Sequence, residues 1–199
     1  EYQGAHCVNR VVVDSRWGMH QAVEYLHRLG HRRIALSEFG HSGLGLDKMA
    51  WIGARNRSFL EACQQYGIEA GDENMLIDNA LVDTEDKQIE AGKHVIANLS
   101  RSKAPYSAII GINDYVALGM LREVRKRRLS YSIIGFDNIP QAGTENLTTL
   151  GVPSAEIGMV AVDMLEDMLV RPRRREGVYQ QVVVRPNLIC RESVRPIVR

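Results

Sequence analysis

"SAIIGINDYVALGM" (residues 107–120) runs apolar from Ala108 to Ile112, breaks at Asn113-Asp114, and then resumes apolar residues at a different spacing. A short unbroken apolar run bounded by turn residues fits a strand buried on both faces. Val116, Ala117, Met120, Leu121 and Val124 then recur at the interval of a helix over 115–127. A strand feeding directly into a helix is half of a β-α-β unit, the unit that builds parallel sheets. In such sheets ligands bind beyond the carboxyl ends of the strands, where the crossovers diverge. Asn113 and Asp114 fall at that junction. Asp114 reads as the N-cap of the helix, since Asp suits that position, and the pair reads as part of one wall of a small-molecule site.

The same rhythm extends in both directions. "RVVVD" (10–14), "RRIALSEF" (32–39), "NMLI" (74–77) and "YSIIGF" (131–136) read as strands, and "VYQQVVVRPNLICRES" supplies one or two more at the end. Between them Met19, Ala22, Val23 and Leu26 share one helical face that stops at Gly30. Further helices are expected over about 50–66 and 84–99, and a long one after "NLTTL" with Ile157, Val160, Ala161, Met164, Leu165 and Met168 in register. The fold class is therefore α/β, with parallel sheets covered by helices on both faces. Asp137 lies just past "YSIIGF" and Asp14 just past "VVV", so three strands deliver polar side chains to the same kind of edge.

Composition narrows the function classes. The chain has 199 residues, 45% hydrophobic and 25% charged, with a formal net charge of +1, an ordinary globular composition. That charge supplies no overall field to draw in nucleic acid or an acidic membrane. Cys7, Cys63 and Cys190 are widely spaced and odd in number, which suits neither a disulfide framework nor a metal site and points to a reducing cytoplasm. The six histidines share no metal spacing, and no apolar run approaches the ~20 residues that span a bilayer. The start, "EYQGAHCVNR", is not a secretory signal and reads as the beginning of a fragment. There is no G-x-S-x-G elbow, P-loop or dinucleotide fingerprint; "GHSGLG" (40–45) lacks the elbow spacing. An enzyme is not expected.

Taken in order, "VVVD", "YLHRLGHRRIAL", "NDYVALGML", "GFDNI", "LTTL" and "VVVRPNLICRESV" closely resemble the effector-binding domain of the lactose/galactose repressor (LacI/GalR) family of bacterial transcription regulators. The resemblance runs from about Val11 to Val194. It implies a periplasmic-binding-protein-like fold of type I, two lobes flanking a cleft, with the first lobe incomplete in this chain. Residues 1–31 would be the remnant of the first lobe, 32–150 the second lobe, 151–184 a return to the first, and 185–199 a last crossover and tail. The chain departs from the family where it passes from "RKRRLS" straight to "YSIIG", without the usual Gly- and Pro-containing turn.

The resemblance also implies site residues. Arg55, Asn113 and Asp137 match effector-contacting positions, and Trp17 lies close to one. A guanidinium offers five donors in a fixed fork, a carboxylate accepts from paired hydroxyls, and an amide does both. An indole can cover the apolar face of a pyranose or stack on a purine. The implied partner is a small polar effector, a sugar in preference to a purine. No cofactor, metal or membrane is implied. Operator DNA would be held by a helix-turn-helix headpiece absent from this chain, and the helices near 90–98 and 115–126 would pair copies into a homodimer. The basic runs "RKRR" (125–128) and "RPRRRE" (171–176) read as solvated, the first suiting a helix C-terminus. A transporter's solute-binding protein of the same fold is the alternative.

Overall fold

The apolar runs fold as strands and the periodic segments as helices. The computed structural model describes residues 8–39, 46–70, 74–78, 83–102, 105–170 and 179–197, with the backbone alone for residues 38, 39, 46–50, 77 and 78. In chain order the elements are β1 (Arg10–Val13), α1 (Ser15–Arg28), β2 (Ile34–Phe39), α2 (Leu46–Gln65), β3 (Met75–Asp78), α3 (Glu85–Ser102) and β4 (Ala108–Gly111). Next come α4 (Asp114–Arg127), β5 (Ser132–Asp137), α5 (Pro140–Thr144), β6 (Thr148–Gly151), α6 (Ser154–Val170), β7 (Gln181–Val184) and β8 (Asn187–Ile189). Cys7, "GHSGLG" and "RPRRRE" lie outside the described residues.

Six strands form one sheet in the order β3-β2-β4-β5-β6-β8, parallel except for β8. The chain order reverses between β2 and β4, which makes the carboxyl ends of that pair the topological switch point. Helices α1 and α2 pack together, as do α3 and α4. Crossovers between parallel strands are right-handed as a rule, which puts one pair on each face. The core between them is anchored by Phe59, Phe136, Met19, Leu26, Ile96, Ile109 and Leu118, all fully buried. Helices α3 and α4 meet at two glycines: a Cβ at Gly92 would collide with the Val116 carbonyl, and one at Gly119 with the Ile89 carbonyl. Only glycine permits so close an approach of two backbones.

The smaller unit is the parallel pair β1–β7, against which α6 packs. Strand β1 is half-buried rather than buried, and no described residue of α6 is buried. Of the residues expected on the inner side of α6, Leu165 is 59% and Met168 45% exposed. A two-stranded sheet offers too little surface to cover a helix this apolar. The boundary placed at residue 31 also moves. Helix α1 buries Met19, Ala22, Val23 and Leu26 in the same core as Ile34, Phe59 and Phe136, so it packs with the large sheet, and the chain crosses at Asp14, before α1. Helix α5 was not legible from spacing, because five residues are too few to show a period.

Candidate functional site

Beside the switch point, the carboxyl ends of β4 and β5 are bridged by Arg55 of α2. Its Nη1 donates to the carbonyl of Ile112, immediately after β4, and its Nη2 donates to Asp137 Oδ1 at the end of β5 at 3.2 Å. The guanidinium carbon sits 3.5 Å from the centre of the Phe136 ring and 4.6 Å from that of Trp51. Arg55 is 8% exposed, and its Nε is buried with no hydrogen-bond partner among the described residues. Burial pulls the guanidinium's pKa down, while Asp137, and more weakly Asp114, push it back up. A planar cation between aromatic faces suits arginine and would not suit lysine.

Asp137 is the last residue of β5 and has φ 121°, followed by Asn138 at φ 61°. Non-glycine residues in this region cost on the order of 1–3 kcal/mol each unless the surroundings hold them. Here the surroundings do. The Asp137 carbonyl accepts from Val152 N–H at 3.3 Å, and Arg191 donates to Asn138 Oδ1 at 2.8 Å. Ile139 N–H donates to Asp114 Oδ2 at 2.8 Å. Burial is the chief cause raising the Asp137 carboxyl, to about 6; Arg55 opposes it and the Asp114 charge adds to it.

Asn113 and Asp114 exchange part of their expected roles. Asn113, not Asp114, is the N-cap of α4, with extended backbone and Oδ1 accepting from Val116 N–H at 3.0 Å. The cap needs extended backbone together with a side-chain acceptor, and the chain reaches that geometry one residue earlier than expected. Asn113 Nδ2 donates to Gln88 Oε1 of α3 at 2.7 Å. Asp114 is wholly buried, accepting from Ile139 N–H and from the Thr149 hydroxyl at 2.6 Å. Burial raises its pKa against these hydrogen bonds. It ties α4 to the β5–α5 turn and to β6, holding the backbone that carries Asp137.

The structure thus brings Arg55 and Asp137 into contact, and places Asn113 next to the carbonyl Arg55 holds. Trp17 is 42% exposed, in the first turn of α1. Its backbone N–H donates to Asp14, the α1 cap, and the Arg185 guanidinium lies 4.6 Å over its ring. Its neighbour Gly18 approaches Phe136, the ring under Arg55. Trp51, within the helix expected over about 50–66, has its ring against the Arg55 guanidinium. Sequence reasoning did not find Gln88, Thr149 or Phe136, since a hydrogen bond or stacking partner on another element leaves no local signal. No group of three or more metal-ligating side chains occurs among the described residues, and no described helix is long and apolar enough to cross a membrane.

Comparison with known proteins places the fold. A family described as a periplasmic binding protein-like domain matches residues 23–194. The arabinose metabolism transcriptional repressor of Geobacillus stearothermophilus is 30% identical over 193 residues, covering 94% of this chain and 50% of that protein. The transcriptional repressor CytR of Escherichia coli K12 is 30% identical over 165 residues, 80% of this chain and 45% of the repressor. The chain spans about half the length of these relatives. A LacI family regulator from Enterococcus faecium, solved with bound ribose, shares the fold at TM-score 0.75 and 23% identity, over 96% of this chain and 66% of that one. These relatives are regulators and not enzymes, and they do not favour the transporter alternative. The chain belongs to the periplasmic binding protein-like family, and the relatives it resembles along that length are transcriptional repressors.

Proposed function

We propose that the carboxyl ends of β4 and β5 wall a site that binds a small polyhydroxylated effector, a sugar, through Arg55, Asn113 and Asp137. The observation that carries this reading is the buried Nε of Arg55, which has no partner among the described residues. A buried unsatisfied donor costs roughly 1–3 kcal/mol, and a ligand hydroxyl or ring oxygen would remove that cost. Asp137, with a side chain 37% exposed, is the acceptor beside it. A repressor of arabinose metabolism among the relatives supports a sugar, while two repressors named PurR, 28% and 31% identical, keep a purine as the second reading.

Effector would favour one arrangement of the β1–β7 unit against the large sheet. In a homodimer this would change operator binding by a helix-turn-helix segment outside these 199 residues, in the cytoplasm. Coupling of this kind amounts to about 1–3 kcal/mol and requires different affinities for the two arrangements. Asp137 is suited to such a role, because its carbonyl holds Val152 in the crossover after β6. Trp17 is a peripheral contact in this reading, reached only if the β7–β8 crossover carrying Arg185 closes toward the site. Thermal unfolding of the full-length protein against a panel of pentoses, hexoses, disaccharides and nucleosides tests the reading. A true effector at 100 times its Kd stabilises by about 2.7 kcal/mol, and Arg55→Ala should abolish that shift while still unfolding cooperatively. A panel without a hit, or an Arg55→Ala protein that binds as well as wild type, rejects it.

A further inference from the structure

A cavity of about 590 Å³ opens at the opposite end of the strands of the large sheet, where β5 begins. It lies between the C-terminal end of α4, the residues entering β5 and the chain segment 192–195. Strand β5 begins at Ser132 beside it and ends at Asp137, so the cavity and the Arg55–Asp137 pair are separated by about 17 Å of extended chain. Its volume falls in the range of small-molecule pockets, roughly 300–1,000 Å³. The floor is apolar, formed by Leu121, Val124 and Leu129 with Tyr131, and the charged lining is Arg125, Arg128, Arg195 and Glu192. Three guanidiniums against one carboxylate leave an excess of two positive charges facing one cavity.

Two of these arginines are held by their backbones. Arg128 caps α4 in the left-handed conformation, φ 55° and ψ 40°, with its N–H bonded to the carbonyls of Val124 and Arg125. Glycine is the usual residue there, and a side chain at that position is strained. Arg195 is pinned from two sides: its N–H donates to Ser132 Oγ at 3.0 Å, and its carbonyl lies 2.9 Å from His31 Nε2. A carbonyl can only accept, so Nε2 carries the proton and Nδ1 accepts from the Ser107 hydroxyl, 2.8 Å away. Arg125 spends one N–H on the Glu145 carbonyl at 2.9 Å, and a guanidinium has five.

We propose that this cavity is a second ligand site, specific for a small phosphate monoester. A monoester carries a charge of about −1.5 to −2 at neutral pH, matching the local excess. Arginine recognises phosphate oxygens in bidentate fashion. The Leu121–Val124–Leu129 floor would take the ester's carbon skeleton, and Glu192 would accept from one of its hydroxyls.

Isothermal titration of the full-length protein with inorganic phosphate, glycerol 3-phosphate and glycerol tests this. Glycerol 3-phosphate should bind most tightly, inorganic phosphate more weakly, glycerol not at all, and affinity should fall as salt is raised. Arg128→Gly and Arg195→Gln should each weaken the ester by about tenfold or more. Arg128→Gly also relieves the left-handed strain, so its melting temperature should hold or rise, which separates lost binding from lost folding. Arg55→Ala, in the distant site, should leave ester binding unchanged. The proposal is overturned if millimolar ester does not bind, if both arginine variants bind as wild type, or if Arg55→Ala is the variant that abolishes binding.

Discussion

Acidifying the solution from about pH 7.5 to about pH 5 should weaken effector binding close to tenfold, through Asp137. Burial lifts this carboxyl from 3.8 to about 6, despite the Arg55 charge that opposes the shift. At pH 7.5 nearly all of it is ionised; at pH 5 only about one molecule in ten is. A ligand whose hydroxyls donate to the carboxylate binds the ionised form. Its apparent Kd therefore rises as that fraction falls, by about tenfold or ~1.4 kcal/mol. Stability moves the other way. A carboxyl raised in the folded state holds its proton more tightly there, so its contribution is largest at low pH and is lost as pH climbs from about 4 to about 6. Tyr115, nearby, donates to Glu85 at 2.6 Å and is pushed up to about 12 by that bond first, so it stays neutral throughout. Asp114 is raised in the same direction as Asp137, and Asp137→Asn separates the two. Calorimetric titration in buffers of different ionisation enthalpy should show proton release on binding near pH 5.5 in wild type, and a flat profile in Asp137→Asn. A Kd indifferent to pH, or a dependence that survives in the Asn variant, would refute the reasoning.

Asp114→Ala removes two hydrogen bonds to a buried charge and leaves the Ile139 N–H and Thr149 hydroxyl unpaired; denaturant titration should show a loss of about 3 kcal/mol. Gly119→Ala drives a methyl into the Ile89 carbonyl and should cost about 1–3 kcal/mol by parting α3 from α4; an unchanged denaturation midpoint would show that the helices separate freely. His31 is buried between Ser107 and Arg195, and burial lowers its pKa below the ordinary 6.5. The unfolded chain then takes up the proton first, so stability is lost as pH falls below about 6.5. His31→Gln should remove that acid-side slope, and a slope unchanged in the variant would assign it to other groups.

The sheet was legible because its strands are buried on both faces and so read as unbroken apolar runs, while amphipathic helices carry their own period. Where the local pattern weakens, so did the reading. Helix α5 is one turn and shows no period. The choice between Asn113 and Asp114 as cap turned on a single residue, because both side chains can accept from the helix N–H groups. The boundary at residue 31 failed because Met19, Ala22, Val23 and Leu26 reveal that α1 has a buried face and not which sheet lies beneath it.

The site divides along the same line. Residue order alone determined that polar side chains at 113, 114 and 137 stand at the carboxyl ends of strands, because that depends only on where each apolar run stops. That Arg55 crosses from α2 to touch both the end of β4 and the end of β5, with Phe136 and Trp51 against its plane, was decided by tertiary structure. So was the gathering of Arg125, Arg128 and Arg195 at the opposite end of the strands. Arg55 stands 57 positions from Ile112 and 82 from Asp137. Backbone periodicity carries information only about neighbours within a few turns; contacts across longer separations are fixed by packing.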